Sequence, residues 1–199
     1  ITINVTSIND APSILTLDLN HSENIQNVGK LSAVDDSNAT LIWSWGPLDP
    51  VTKYNPDGDF QLTSAGDLSF RLLNGPDYEI SYQKKSYVLP LRVIDNEGNY
   101  TDGNLTITVV NANDNEPYSP YLSKNASTSF SLVEENSTVV DLNVSDLDNS
   151  IVSNFNVVTY SLTGGPDRTR FSVNGSGRLS LLPAPDFESP ASADLDNVY

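Results

Sequence analysis

Residues 105–117 read Leu-Thr-Ile-Thr-Val-Val-Asn-Ala-Asn-Asp-Asn-Glu-Pro, an alternating stretch that runs straight into an acidic, amide-rich linker. Leu105, Ile107 and Val109 share one face and Thr106 and Thr108 the other, the period of a half-buried β-strand. The same text stands near the start of the chain, where Ile1, Ile3 and Val5 alternate with Thr2, Asn4 and Thr6 before Ile8-Asn9-Asp10-Ala11-Pro12. Pro12 and Pro117 lie 105 positions apart, and further landmarks recur in order at similar shifts. Glu23-Asn24 returns as Glu135-Asn136, and Ala33-Val34-Asp35 as Val144-Ser145-Asp146. Asp59-Phe60 through Gly66-Asp67-Leu68-Ser69 returns as Arg170-Phe171 through Gly177-Arg178-Leu179-Ser180, and Pro76-Asp77-Tyr78-Glu79 as Pro185-Asp186-Phe187-Glu188. The chain therefore contains one domain of about 105 to 110 residues written twice, within the usual ~100 to 200 residues per domain.

Outward from that stretch, period two persists. Tyr87, Leu89, Leu91 and Val93 form one face, and Val140, Leu142 and Val144 alternate with Asp141, Asn143 and Ser145. Turn chemistry separates the strands at Asp57-Gly58-Asp59, Asn74-Gly75-Pro76-Asp77, Asp95-Asn96-Glu97-Gly98 and Gly164-Gly165-Pro166-Asp167. Many short strands, with Trp43 and Trp45 available as core, predict an all-β sandwich.

Composition narrows the function. Ten Lys and Arg stand against 26 Asp and Glu, a formal charge of −16 that excludes a nucleic-acid surface. There is no run of about 18 apolar residues, the length a membrane helix needs. The chain has no cysteine, which excludes disulfides, zinc-cysteine sites and thiol catalysis, and its single histidine, His21, leaves little acid-base chemistry near neutral pH. Nineteen of the acids are Asp, and 22 Asn accompany them. Such short oxygen-bearing side chains suit turns and also suit hard cations.

These landmarks resemble the cadherin repeat, with its Glu-Asn near the first strand, Asp-x-Asp after the second, Leu-Asp-Arg-Glu-like corner, Ala-x-Asp after the sixth strand and Asp-x-Asn-Asp-Asn linker. The resemblance implies tandem seven-stranded Greek-key β-sandwiches of cadherin or immunoglobulin-like type. Residues 1–11 would be the last strand and linker of a preceding repeat, 12–116 a complete repeat, and 117–199 a second one, truncated where its sixth strand begins at Asn197-Val198-Tyr199. The resemblance further implies bound calcium. Glu23, Asp77, Glu79, Asn111, Asn113, Asp114 and Asn115 would join Asp146 and Asp148 around the middle junction. Asn9, Asp10, Asp35, Asp36 and Asp95 would form half of an upstream site, and Glu135, Asp186 and Glu188 half of a downstream one. Charges about 4 Å apart repel by ~1 kcal/mol in water and ~4 kcal/mol at an effective dielectric near 20, so such a cluster calls for a cation. Calcium takes 6 to 8 oxygens, amide and backbone ones included, whereas magnesium keeps more water.

Two departures point to a weaker upstream site: the first linker Asp of the family is Asn111 here and Ser7 in the earlier linker, and Asp36-Ser37 follow Asp35 where Asp-x-Asp is expected. Other motifs have plainer readings. Pro56-Asp57-Gly58-Asp59 lacks EF-hand spacing and reads as a hairpin turn, and His21 as a solvated loop residue. Asp77 and Glu79 could be a glycosidase pair, but their return as Asp186 and Glu188 marks scaffold instead, so no enzyme is expected. Asn-x-Ser/Thr sequons begin at Asn4, Asn38, Asn99, Asn104, Asn125, Asn136, Asn143 and Asn174, the acceptor pattern of an N-glycoprotein. The expected function is a calcium-stiffened, extracellular cell-surface segment of a membrane-anchored adhesion protein. Its partner would be the same or a related adhesion protein, homophilic or heterophilic, with no nucleic acid and no direct membrane contact. The alternative is a carbohydrate-binding module, with a polysaccharide partner and Trp43 and Trp45 as stacking platform, or a structural stalk of a microbial surface protein.

Overall fold

The computed structural model describes residues 1–6, 8–36, 39–47, 56–122, 128–148 and 157–199. Ser7 and Ser37, and the sequons at Asn38 and Asn125, lie outside the described residues. The chain divides into two compact units, Ile1–Ala112 and Asn113–Tyr199, and the boundary falls inside the linker 111–115.

The first unit is built from β1 (Ser13–Ile14), β2 (Asp18–Ser22), β3 (Asn27–Lys30), β4 (Ala33–Val34), β5 (Ile42–Trp45), β6 (Phe60–Leu62), β7 (Asp67–Phe70), β8 (Ser86–Ile94) and β9 (Tyr100–Val110). One sheet runs β2-β9-β8-β5, a second runs β3-β7-β6, and β1 pairs with β4. Counting β1/β2 and β3/β4 each as one interrupted strand gives seven, arranged as a Greek-key sandwich. The first strand changes sheets midway. Its β1 half is antiparallel to β4, whereas its β2 half lies parallel to β9 with Ser22 opposite Val110. That crossing delivers the residue after β2, Glu23, beside the end of β9, where its amide bonds the Val110 carbonyl at 3.1 Å.

The predicted inward faces are the core. Tyr87, Leu89, Leu91 and Val93 of β8 and Leu105, Ile107 and Val109 of β9 meet Phe60, Leu68 and Phe70 from the opposite sheet, all buried. Phe60, Phe70 and Tyr87 pack with ring centroids 4.4 to 5.5 Å apart, a spacing aromatic pairs favour. Trp43 is core, 5% exposed, and lies on Gly66, where a Cβ would come within 2.9 Å of the indole. Trp45 is half-buried and its indole N–H donates to Asp57.

Residues 1–6 pair with no strand among the described residues, and Ile1, Ile3 and Val5 are exposed. Two expectations change. Pro56–Gly58 is a single 3-10 turn leading into β6 rather than a hairpin turn. His21 is not solvated. The parallel register places it opposite Val109, 8% exposed, with Nε2 2.7 Å from the Ile25 carbonyl and its ring 5.4 Å from Phe70.

The second unit repeats the smaller sheet as β10 (Thr138–Asp141), β11 (Phe171–Val173) and β12 (Arg178–Leu181), in the order β10-β12-β11. The duplication reaches individual hydrogen bonds. Leu31 N–H to Gly66 carbonyl recurs as Leu142 to Gly177, and Phe70 to Gln26 as Leu181 to Ser137. Gly177 lies under Tyr160 as Gly66 lies under Trp43. No counterpart of the four-stranded sheet forms among the described residues of this unit.

Two ion pairs pin strands at the surface, Arg92–Asp102 across β8–β9 at 2.7 Å and Arg178–Asp141 across β12–β10 at 2.8 Å. The arginine hydrogen bonds hold both carboxyls below the ordinary carboxylate range. A carboxyl lowered in the folded state stabilises it above the unfolded pKa and loses that contribution as pH falls through the folded value. The thermal midpoint in chelator should therefore fall on acidification below about pH 4, and Asp102→Asn should flatten part of that fall. Trp43→Ala should cost about 3–5 kcal/mol in urea unfolding. Gly66→Ala should also destabilise, because of both the 2.9 Å approach and its φ of +89°.

Candidate metal centre

Three segments converge at one pole of the first unit: the end of β2 with Glu23, the loop after β7 with Asp77 and Glu79, and the end of β9 with Asn111. Glu23 is 2% exposed, and its carboxylate accepts the Ala112 amide at 2.6 Å and the Tyr78 amide. One side chain thus ties the loop and the exit from β9 to β2. Asp77 Oδ1 accepts the Glu79 and Ile80 amides at 3.0 and 3.1 Å, which curls the loop and sets the two carboxylates on it. The loop approaches closely because Gly75, at φ +78°, has no side chain: a Cβ there would lie 2.3 Å from the Ile25 carbonyl oxygen. Glu79 Oε1 and Asn111 Oδ1 are shielded from solvent.

The second unit builds the same cage. Phe187 N–H donates to Glu134 at 3.2 Å, and Asp186 Oδ1 accepts Glu188 and Ser189 amides at 3.0 and 3.2 Å. Asn24 and Glu135 are equivalent, each with positive φ (57° and 62°) and each donating to the proline carbonyl of its loop, Pro76 or Pro185, at 2.8 Å. The counterpart of Glu23 is therefore Glu134. Carboxylate oxygens of Glu134, Asp186 and Glu188 all lie within 4.8 Å of one another, and Glu135 is outside that group. Matching Glu-Asn to Glu-Asn misled the sequence alignment by one residue. The 111-residue shift of the next landmark, Ala33 to Val144, already pointed to Glu134.

At the opposite pole of the first unit, Asn9 Nδ2 donates to Asp95 at 2.6 Å and the Asp10 amide reaches Asp36 at 3.4 Å, with Asp35 half-buried beside it in sequence. Asn9 Oδ1 is buried and has no hydrogen-bond partner among the described residues. Asp95 is largely committed to its own turn, with Oδ1 accepting the Glu97, Gly98 and Asn99 amides. Burial alone would raise its pKa, but hydrogen bonds from Asn9, Glu97 and Asn99 hold the carboxyl below the usual range. In the second unit the equivalent pole is tighter. Asp148, fully buried, accepts the Asp114 and Asn115 amides at 3.1 and 2.9 Å and the Asn115 side chain at 2.7 Å. Asp146 Oδ1 in turn accepts the Asp148 amide at 3.1 Å, and Asn113 is exposed. A further sequon that the sequence reading passed over begins at Asn20, exposed on β2.

Over 148 residues, 73% of its length, the chain is 34% identical to human protocadherin Fat 4, and it is 32% identical to the mouse protein over the same length. The chain spans about 3% of those relatives. No family profile matches it. Among solved structures it is similar to human protocadherin-24 EC1-2 (TM-score 0.59, 18% identity, 91% of this chain and 81% of that one). It also resembles mouse cadherin-23 EC22-24 (0.57, 21%, 90% and 56%) and a protocadherin gammaB7 EC3-6 cis-dimer structure (0.60, 20%, 89% and 45%). At these identities the structures speak for the fold. With the duplicated landmarks, the seven-stranded sandwich and the Fat 4 matches, the chain belongs to the cadherin repeat family, as an extracellular, cell-surface module.

Glu23→Ala, measured by urea unfolding in chelator, should lower the stability of the first unit by about 1–3 kcal/mol, because two part-buried amides lose their acceptor. Glu188→Gln, at an exposed and crowded carboxylate, should leave chelator stability within about 0.5 kcal/mol or raise it.

Proposed function

We propose that this segment binds calcium and that the bound ions order the linkers and stiffen the string of repeats, so that a cell-surface protein can hold its adhesive surfaces at reach. The observation that carries this is the group Glu134, Asp186 and Glu188, three carboxylates within 4.8 Å of one another, on a backbone cage that recurs around Glu23, Asp77 and Glu79. The hydrogen-bonded cage beneath these carboxylates is built twice, with Asp77 and Asp186 accepting equivalent amides. Like charges so close are unfavourable by ~1 to 4 kcal/mol per pair according to the local dielectric, and a divalent cation reverses the sign. The donors are all oxygen, carboxylate and amide mixed, which fits calcium better than a transition metal. Asn9 Oδ1, buried without a hydrogen bond, is the kind of oxygen such an ion would take up.

Adhesion itself would be calcium-dependent, through contact with the same or a related protein, with many repeats in series compensating for weak single contacts. The chain acts without catalysis in this reading, since the Asp77/Glu79 pair and its copy Asp186/Glu188 serve the cage. The sugar-stacking alternative loses its platform, because Trp43 is core and Trp45 is half-buried against Asp57.

Calorimetry on the chelator-stripped chain should show calcium binding at about 10⁻⁴ to 10⁻³ M, with magnesium weaker. Calcium at ten times Kd should stabilise by ~1.4 kcal/mol per independent site. The double variant Asp186→Asn/Glu188→Gln should remove one binding event. Small-angle scattering should give a larger maximum dimension in calcium than in chelator. Absence of calcium heat, or an unchanged dimension, contradicts the proposal.

A further inference from the structure

We infer that a donor placed downstream of each acidic loop, Lys85 in the first unit and Asn197 in the second, is a positioning residue that sets how tightly each carboxylate group holds its cation, without touching the ion. The inference rests on the calcium reading above. Lys85 Nζ donates to three backbone carbonyls of the loop that carries the carboxylates, those of Asp77 (3.2 Å), Tyr78 and Ile80 (3.1 Å). All three protons of the ammonium are thereby used. It also lies 4.7 Å from the centre of the Tyr78 ring, a cation–π contact. The amides of these three residues and of Glu79 between them are held in turn: Asp77 N–H by Gln83 at 2.8 Å, Tyr78 N–H by Glu23, and Glu79 and Ile80 N–H by Asp77 Oδ1. A loop clamped on its donors and its acceptors cannot twist to move Asp77 and Glu79 apart, which is the relaxation that mutual repulsion would drive when no ion is present.

The second unit supplies an independent instance of the same device. Asn197 Nδ2 donates to the Phe187 carbonyl at 3.1 Å, and Phe187 is the equivalent of Tyr78, since each gives its amide to the glutamate of its cage. Position and target are kept while the side chain differs. Lys85 makes three charge-assisted bonds and Asn197 one neutral bond, and charge-assisted bonds are roughly twice as strong. The clamp is therefore stiffer around Asp77/Glu79 than around Asp186/Glu188, which predicts tighter ion binding in the first group.

Charge and clamp pull in opposite directions at Lys85, and this makes the inference testable. An ammonium that is merely a neighbouring positive charge repels calcium, so its removal would tighten binding. A clamp preorganises the ligands, so its removal loosens binding, by about tenfold if it behaves as outer-shell partners of metal ligands generally do. In the full chain carrying Asp186→Asn/Glu188→Gln, so that the second group is silent, calcium titration by calorimetry should give a Kd raised about tenfold by Lys85→Met, in the binding event that Glu79→Gln removes, and raised less by Lys85→Asn. Unfolding in chelator is measured in parallel. In the parent chain, Asn197→Ala should weaken the second group about threefold; this half-buried side chain makes one bond, so the variant tests the clamp even if Lys85→Met fails to fold. A lower Kd for Lys85→Met, or reduced chelator stability with unchanged Kd in both variants, overturns the inference. Absence of calcium binding in the parent chain overturns the calcium reading itself, and the two failures are thereby distinguished.

Discussion

The acidic pole of the first unit depends on one buried carboxylate that accepts main-chain amides from two other segments. Glu23 comes from the end of β2, Tyr78 from the loop after β7 and Ala112 from the end of β9, and none of these is near another in sequence. A charge 2% exposed is unfavourable unless hydrogen bonds repay its desolvation. Two amides aimed at it, together with the close approach permitted at Gly75, do so and fix the loop's position. The other carboxylates then occupy places that the backbone, not their own mutual preference, has assigned. Crowding of like charge at the pole is a consequence of folding around Glu23, and it is this crowding that the proposed calcium would relieve.

The sandwich beneath makes this possible by a sheet change in a single strand. Because β1 belongs beside β4 and β2 beside β9, the chain crosses the core once within the first strand and arrives at the pole next to the last one. The aromatic trio Phe60, Phe70 and Tyr87 seals the core just inside, and His21 packs on Phe70 at the same end. The second unit keeps the smaller sheet, the glycine under an aromatic ring and the cage, with Glu134 for Glu23 and Asn197 for Lys85. What the two units share is a hydrogen-bond pattern more than a set of side chains.

The two linkers differ in how far they are ordered by protein contacts alone. Asp148 takes the amides of both Asp114 and Asn115 and is fully buried, whereas the corresponding contact upstream is a single 3.4 Å bond from Asp10 to exposed Asp36. In the sequence Asp36 stands one residue after Asp35, whereas Asp148 stands two after Asp146.

By itself, the amino-acid sequence determined that the protein is a tandem β-sandwich with oxygen-rich turns, because period-two burial, turn chemistry and repetition are local properties written residue by residue. Leu89, Leu91, Leu105 and Ile107 are core for the reason their alternation announces. Only the tertiary structure decided which glutamate enters each cage, that His21 faces inward, and that Lys85 bonds carbonyls of its own loop. The first two depend on a partner more than ten residues distant or on the register between strands, where a one-residue change moves a side chain to the other face without altering any local pattern, and the third on how the loop 77–80 curls back on Lys85.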